Sequence, residues 1–234
     1  MRWPGWYPPV LAYHRVHPQP GVDTPTLSPE IFERHMSLLA KRWQPIPLGH
    51  LVAELEKGKT PSRRGVAVTF DDGTEDTFTH AFPVLVTYRI PATVFLIVSN
   101  IGRPGSLTLD QIRQMKEAGI SFGSHTLSHA YLPSLSPPTV RDELVVSRQR
   151  LTALGLSGES VSYPGGGFTP KVVQHVQEAG YRFACTTNRG LRRLPVDRWA
   201  IRRITMHGNA TSSLGMWIRC SGYYGINRRV RNPS

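Results

Sequence analysis

The chain has 234 residues, 39% hydrophobic and 19% charged, with only two cysteines. That size and composition suit one domain with a full apolar core and exclude a disulfide-stapled scaffold; no run of about 20 apolar residues is present to span a bilayer. Lys and Arg outnumber Asp and Glu by 28 to 16, a net charge of +12, which can hold a protein near nucleic acid, anionic lipid or acidic polymer.

No nucleic-acid motif accompanies the charge. The arginines are scattered apart from a denser C-terminal third with Arg192, Arg193, Arg202, Arg203, Arg228, Arg229 and Arg231, so a solvated basic surface is the plain reading. No apolar signal-peptide core follows Met1, and the expectation is a cytosolic or a mature, trimmed form. Trp3, Trp6 and Tyr7 cluster with Pro4, Pro8 and Pro9; aromatic residues beside a basic protein can sit at a membrane interface, which raises peripheral attachment.

In chain order, residues 10–16 form a short strand ending in Tyr13-His14-Arg15-Val16. Ser28-Pro29-Glu30 opens a helix, with a capping serine and a proline at the first helical position. The strongest strand, 66–70, runs into Asp71-Asp72-Gly73, and a second covers 92–97. Thr108-Leu109-Asp110-Gln111 is a capping box for a helix that Gly119 ends. Strand 120–123 leads to His125-Thr126-Leu127-Ser128-His129, and strand 161–163 leads to Pro164-Gly165-Gly166-Gly167. Thr169-Pro170 opens another helix, closed by Gly180, before strand 183–186. These strands are continuous apolar runs, as parallel strands covered on both faces require. The alternation predicts an α/β fold with a parallel sheet or barrel, and residues 1–234 read as a single domain. Cys185 reads as a small buried hydrophobe, with a Cys185–Cys220 bridge left open.

Two carboxylates directly after a buried strand stand where α/β barrels place active sites, although Asp-Asp-Gly alone is also an ordinary turn. Adjacent like charges disfavour each other, so Asp71 and Asp72 call for a cation or a shared proton. Histidines four apart would share one face of a helical turn, as in other paired-histidine metal sites. Two imidazoles and a carboxylate suit zinc or a similar divalent ion and leave positions open for water and substrate. Either motif alone is commonplace; together at strand ends they point to a divalent-metal site.

Thr69-Phe70-Asp71-Asp72-Gly73 and Ser124-His125-Thr126-Leu127-Ser128-His129 resemble the first two motifs of the polysaccharide deacetylases, carbohydrate esterase family four. Ser162-Tyr163-Pro164-Gly165-Gly166-Gly167 resembles the third, and residues 90–96 the strand after the first. The resemblance implies a distorted (β/α) barrel in which Asp71 is the general base, Asp72, His125 and His129 hold a divalent ion (zinc, cobalt or nickel), and the Gly165 N–H, after Tyr163-Pro164, faces an oxyanion. Tyr-His-Arg-Val ahead of these motifs is similar to the subgroup that deacetylates poly-β-1,6-N-acetylglucosamine, a biofilm exopolysaccharide. There the barrel is circularly permuted, and His14, otherwise a strand-end histidine, becomes the general acid. The resemblance thus implies an N-acetylglucosamine polymer as partner and an extracellular or cell-surface location, with no nucleic acid.

Ser162 stands where the third motif commonly has an arginine that orients the catalytic aspartate. Arg203 is a candidate replacement, Trp199 a candidate wall for the acetyl methyl, and His207 competes with His14 as the acid. Tyr131, Phe168 and Trp199 are candidate sugar platforms. A chitin or peptidoglycan deacetylase, an amidase of small substrates and a non-catalytic carbohydrate-binding scaffold are the other readings.

Overall fold

The structure is a computed structural model that describes residues 7–19, 24–59, 62, 64–188, 196–207 and 213–220. Trp3, Trp6, Arg192, Arg193, Arg228, Arg229 and Arg231 lie outside the described residues.

The strands are β1 (Val10–Tyr13), β2 (Arg15–Val16), β3 (Thr26–Leu27), β4 (Gln44–Pro45), β5 (Gly65–Phe70), β6 (Ala92–Leu96), β7 (Ser121–Ser124), β8 (Ser160–Ser162), β9 (Phe183–Thr186), β10 (Ile201–Arg202) and β11 (Ile204–Thr205). The helices are α1 (Pro29–Arg42), α2 (Leu48–Glu56), α3 (Phe82–Thr87), entered through a π-helical turn at Thr77–Ala81, α4 (Leu109–Glu117), α5 (Pro137–Ala153), α6 (Pro170–Glu178) and α7 (Ser213–Cys220). The predicted helix starts are found: Ser28, Thr108 and Thr169 each accept a backbone N–H of the first turn, and Thr108 with Gln111 completes the capping box. Gly119 and Gly180 follow their helices at positive φ, which glycine adopts without a Cβ clash. Strand bounds shift by a residue. The strand expected over 10–16 is two, because β1 pairs with β5 and β11 whereas β2 turns away to pair with β3.

All these ladders are parallel, and the main sheet runs β10-β9-β8-β7-β6-β5-β1-β11, with β4 also on β5. The two end strands of this row, β10 and β11, are separated in sequence by Arg203 alone. The Arg203 N–H donates to the Thr186 carbonyl on one edge and the Met206 N–H to the Ala12 carbonyl on the other, at 2.8 Å each. The row is thereby curled into a nearly closed barrel, the distorted (β/α) architecture expected from the sequence.

Alternation along each strand sorts side chains between two environments. Val10, Ala67, Phe95, Phe183, Cys185 and Ile201 share one buried cluster with Leu48, Leu51 and Leu55 of α2. Leu11, Tyr13, Val66, Val68, Phe70, Val94, Ile204 and Met206 join the cluster under α1, α3 and α4. Cys185 and Cys220 are both buried, and neither is in a disulfide. The open possibility of a bridge is therefore corrected: Cys185 belongs to the first cluster and Cys220, on α7, to the second, with the sheet between them.

Candidate active site

Because the strands are parallel, the segments after β1, β5, β7 and β11 emerge at one mouth. Period two fixes what faces inward there. On β5, Ala67 points into the barrel, so Thr69 and Asp71 follow on the same side. On β1, Val10 points inward, so Ala12 and His14 follow. Tyr13 pairs with Phe70, and the Asp71 N–H donates to the Tyr13 carbonyl at 2.9 Å, so His14 and Asp71 are neighbours at the rim.

Asp71 is 2% exposed and gripped at both oxygens by Arg203, at 2.7 Å each. The same guanidinium donates to Thr69 Oγ1 at 3.1 Å and Ser162 Oγ at 2.6 Å, and lies 5.2 Å from the centre of the Phe95 ring. Arg203 reaches Asp71 from the opposite edge of the curled row, while Ser162 contributes a hydroxyl that binds the arginine. Burial opposes the Asp71 charge, but Arg203, then His125 and His14, outweigh it and hold the carboxyl well below the usual carboxylate range. Asp71 is a fixed carboxylate.

Asp72 breaks the alternation. Its φ is +72°, and Gly73 follows at +66°, where a Cβ would fall 2.5 Å from Leu96 Cδ2. This left-handed pair swings the Asp72 carboxylate away from Arg203 toward the histidines. Asp72 Oδ1 lies 3.5 Å from His125 Nε2 and 3.5 Å from His129 Nε2. It is buried and makes no hydrogen bond among the described residues. Burial, then the Asp71 charge, pushes its carboxyl up to about 6.

The histidine segment departs from expectation. Residues 125–129 are not helical; Thr126 and His129 have φ of +64° and +65°. A compact loop brings the rings to 4.7 Å between centroids. The i,i+4 argument presupposes helical backbone, and here side chains capture the N–H groups that a helix would use. His125 Nδ1 lies 2.8 Å from the Ser162 carbonyl, an oxygen with no proton to give, so Nδ1 carries the hydrogen and Nε2 keeps its lone pair. Burial holds His125 neutral, its pKa down to about 4, and burial also lowers His129.

The three ligand atoms of Asp72, His125 and His129 lie within 4.8 Å of one another. A buried carboxylate oxygen without a hydrogen-bond partner among the described residues, the free Nε2 of His125 and the Nε2 of His129 beside it fit a divalent cation.

His14 Nε2 stands 3.9 Å from Asp71 Oδ2, and its Nδ1 is buried without a hydrogen-bond partner among the described residues. Arg15 donates to Asp76 Oδ2 at 2.6 Å and the Val16 N–H to Oδ1 at 3.3 Å, tying the segment after His14 to the loop after Gly73. His207 lies two residues beyond Thr205, which pairs with Ala12, as His14 lies two beyond Ala12. With Ile204 and Met206 facing outward, His207 shares the inward side, so both acid candidates stand at the same rim.

Pro164–Gly166 forms a tight turn with Gly165 at φ +61° and Gly166 at +73°. A Cβ on Gly166 would fall 2.6 Å from Thr187 Oγ1, and one on Gly167 would run into the Tyr131 ring, which lies across the turn. Tyr131 is 44% exposed at the mouth. Phe168 instead stacks on Tyr163 at 5.1 Å, and the Tyr163 hydroxyl donates to the Trp199 carbonyl at 3.0 Å. Trp199 packs against the cluster under α5 and α6 and carries the Arg198 guanidinium 4.7 Å from its ring centre. The structure gives Trp199 contacts on the helical side of the sheet.

The sequence reading missed Glu143. This α5 residue is 7% exposed and accepts from the N–H groups of Leu127 and Ser128 and from Ser128 Oγ. Its signal was available: Val140, Leu144 and Leu151 form the buried stripe of α5, and Glu143 and Ser147 interrupt it with polar groups.

The polysaccharide deacetylase family profile matches residues 58–184, just over half of the chain. YxkH of Bacillus subtilis (strain 168), which bears an assignment as a polysaccharide deacetylase, is 30% identical over 213 residues, covering 90% of this chain and 75% of that protein. The poly-β-1,6-N-acetyl-D-glucosamine N-deacetylase of Staphylococcus aureus is 29% identical over 143 residues, 55% of this chain; the match spans 49% of that relative's length. Among solved structures, the Streptococcus pyogenes deacetylase PplD in complex with acetate superposes with a TM-score of 0.82 at 25% identity, over 88% of this chain and 95% of that one.

Proposed function

The chain belongs to the polysaccharide deacetylase family, a family of hydrolytic N-deacetylases, and from that premise we propose that it removes acetyl groups from poly-β-1,6-N-acetylglucosamine with the help of a divalent ion. The observation that carries the reading is Asp71, fixed by Arg203, beside the Asp72–His125–His129 cluster. A mere sugar binder needs no such buried arginine–carboxylate pair next to three convergent ligand atoms.

Asp72, His125 and His129 would hold the ion. A bound divalent ion, whether zinc, cobalt or nickel, supplies Lewis-acid polarisation of the acetyl carbonyl and lowers the pKa of water. Asp71, kept ionised and aimed by Arg203, takes a proton from the attacking water. The Gly165 N–H would donate to the oxyanion of the tetrahedral intermediate. His14 gives a proton to the sugar nitrogen as the carbon–nitrogen bond breaks, and acetate and a free amine leave. His207, at the same rim, is the competing acid. Trp199 as a wall for the acetyl methyl is the weakest role, since its ring packs on the helical side.

The β-1,6 substrate is supported by the Staphylococcus aureus relative and by β1 lying between the strand of the first motif and the C-terminal β11. We read that placement as the circular permutation. An extracellular or cell-surface location follows from a polymer substrate of this kind. The deciding experiment is acetate release from β-1,6-linked N-acetylglucosamine oligomers, with chitin oligomers alongside, in chelated and metal-restored protein. Metal-restored release on the β-1,6 series, lost in Asp71→Asn, is expected. Release on chitin oligomers alone would overturn the substrate, and turnover that survives His14→Ala but not His207→Ala would overturn the acid.

A further inference from the structure

The loop carrying His125 and His129 has an unusual backbone account. Four successive N–H groups, of Thr126, Leu127, Ser128 and His129, all donate to side-chain oxygens. Thr126 N–H reaches Ser124 Oγ at 3.0 Å, and His129 N–H reaches Thr126 Oγ1 at 3.1 Å. The two between them, at 2.9 Å each, converge on one atom, Glu143 Oε2. The other carboxylate oxygen takes the Ser128 hydroxyl. On the other side, the Val98 and Ser99 N–H groups hold the Thr126 and Leu127 carbonyls.

Most of these partners belong to the loop itself or to the adjoining chain. Glu143 does not: it comes from α5, fifteen residues past Ser128, and α5 grips the same segment again through Ser147 and Ser124 Oγ at 3.0 Å. Thr126 and His129 sit at positive φ, a conformation that non-glycine residues hold only when their surroundings impose it. Charge-assisted bonds to a buried carboxylate are strong enough to impose it. Without them, the Leu127 and Ser128 N–H groups lose their shared partner and the loop can relax toward ordinary backbone, which separates the imidazoles.

We infer that Glu143 is a positioning residue for the metal centre, setting the spacing of His125 and His129 through the backbone between them. The inference rests on Asp72, His125 and His129 being the ligands. Its role resembles outer-shell partners of metal ligands, whose loss weakens metal binding about 10- to 100-fold.

The test is zinc affinity, by competition with a chromogenic chelator, together with melting temperature in chelated and zinc-loaded protein. Glu143→Gln keeps the side-chain volume but turns half of an acceptor-only group into a donor. Its zinc Kd is expected to rise about 10- to 100-fold, and the melting-temperature gain on adding zinc to shrink, while the chelated variant stays folded. A Kd within twofold of the parent, or a chelated melting temperature that drops while the zinc gain stays whole, would reduce Glu143 to a structural residue and overturn the inference. Should Glu143→Gln not fold, Glu143→Asp decides. The shorter side chain keeps the charge but no longer places one oxygen 2.9 Å from both N–H groups, and an unchanged Kd there refutes the inference. Failure of the parent protein itself to bind zinc would instead sink the ligand assignment.

Discussion

Replacing Arg203 with methionine removes the cation that lies 2.7 Å from each Asp71 oxygen. The arginine side chain is fully buried and that of Asp71 is 3% exposed, so water screens the pair little. For charge centres about 4 Å apart at an effective dielectric near 20, the attraction is about 4 kcal/mol, equivalent to about three pKa units. In the parent protein the Asp71 carboxyl lies below its unfolded value, so the pair stabilises the fold above the unfolded pKa. That contribution disappears only as pH falls through the folded pKa. In Arg203→Met, burial and the Asp72 charge remain, and the Asp71 carboxyl rises above its unfolded value. Stability at pH 7 should then fall by about 3–5 kcal/mol and partly recover on acidification. The acid limb of kcat/KM should move up by about one to three pH units. Urea unfolding at several pH values and a pH–rate profile read both quantities, and adding Asp71→Asn to Arg203→Met should recover much of the stability. A loss below about 1 kcal/mol with an unmoved acid limb would mean that Arg203 merely fills the seam of the barrel, and the account of Asp71 would fall.

Asp72 gives the opposite sign. With its carboxyl pushed up to about 6, the chelated protein should lose stability as pH rises from about 4 to 6, the range in which the folded state binds more protons than the unfolded. Asp72→Asn should flatten that slope and weaken zinc binding; a slope unchanged by the substitution would refute the assignment. Tyr131→Ala should raise KM for N-acetylglucosamine oligomers several-fold while sparing hydrolysis of a small aryl acetate, as loss of a stacking face worth about 1 kcal/mol implies. An equal effect on both substrates would make Tyr131 a scaffold residue. Gly166→Ala introduces a Cβ 2.6 Å from Thr187 Oγ1 and 2.9 Å from the Asn188 nitrogen at a φ of +73°. Strain of about 1–3 kcal/mol should appear as a lower melting temperature, and a variant as stable as the parent would show that the turn can shift.

The parts of this site that were legible in the sequence are those written locally. Asp71-Asp72 follows a strand whose apolar run announces a buried parallel strand, and the helix caps at Ser28, Thr108 and Thr169 use bonds three residues long. The histidine loop was legible as chemistry but not as geometry. Spacing of four predicts a shared helical face only where the backbone N–H groups are free to form a helix. Ser124, Thr126 and Glu143 take those groups instead. Glu143 itself was within reach, as a carboxylate on the apolar stripe of α5.

Arg203 was harder to place because its partner lies 132 residues away. Only closure of the sheet brings β10 and β11 to the two ends of one row, with the arginine between them aimed at the centre. Ser162, where the family pattern has arginine, reads from sequence as a loss. In the fold its hydroxyl accepts from Arg203 and its carbonyl fixes His125, so a small side chain there makes room for a cation delivered from another strand. Of the four non-glycine residues at positive φ among the described residues, three (Asp72, Thr126 and His129) stand at this mouth, Arg89 being the other, and Asp72, His14 and Arg203 there carry buried atoms without a hydrogen-bond partner among the described residues. Conflicts of that kind persist where the surrounding structure imposes them, and they cluster at functional sites. Here the imposing groups are Arg203 under the aspartates and Glu143 under the histidines. One arrives through barrel closure and the other through a helix, so the two halves of the site can be perturbed separately.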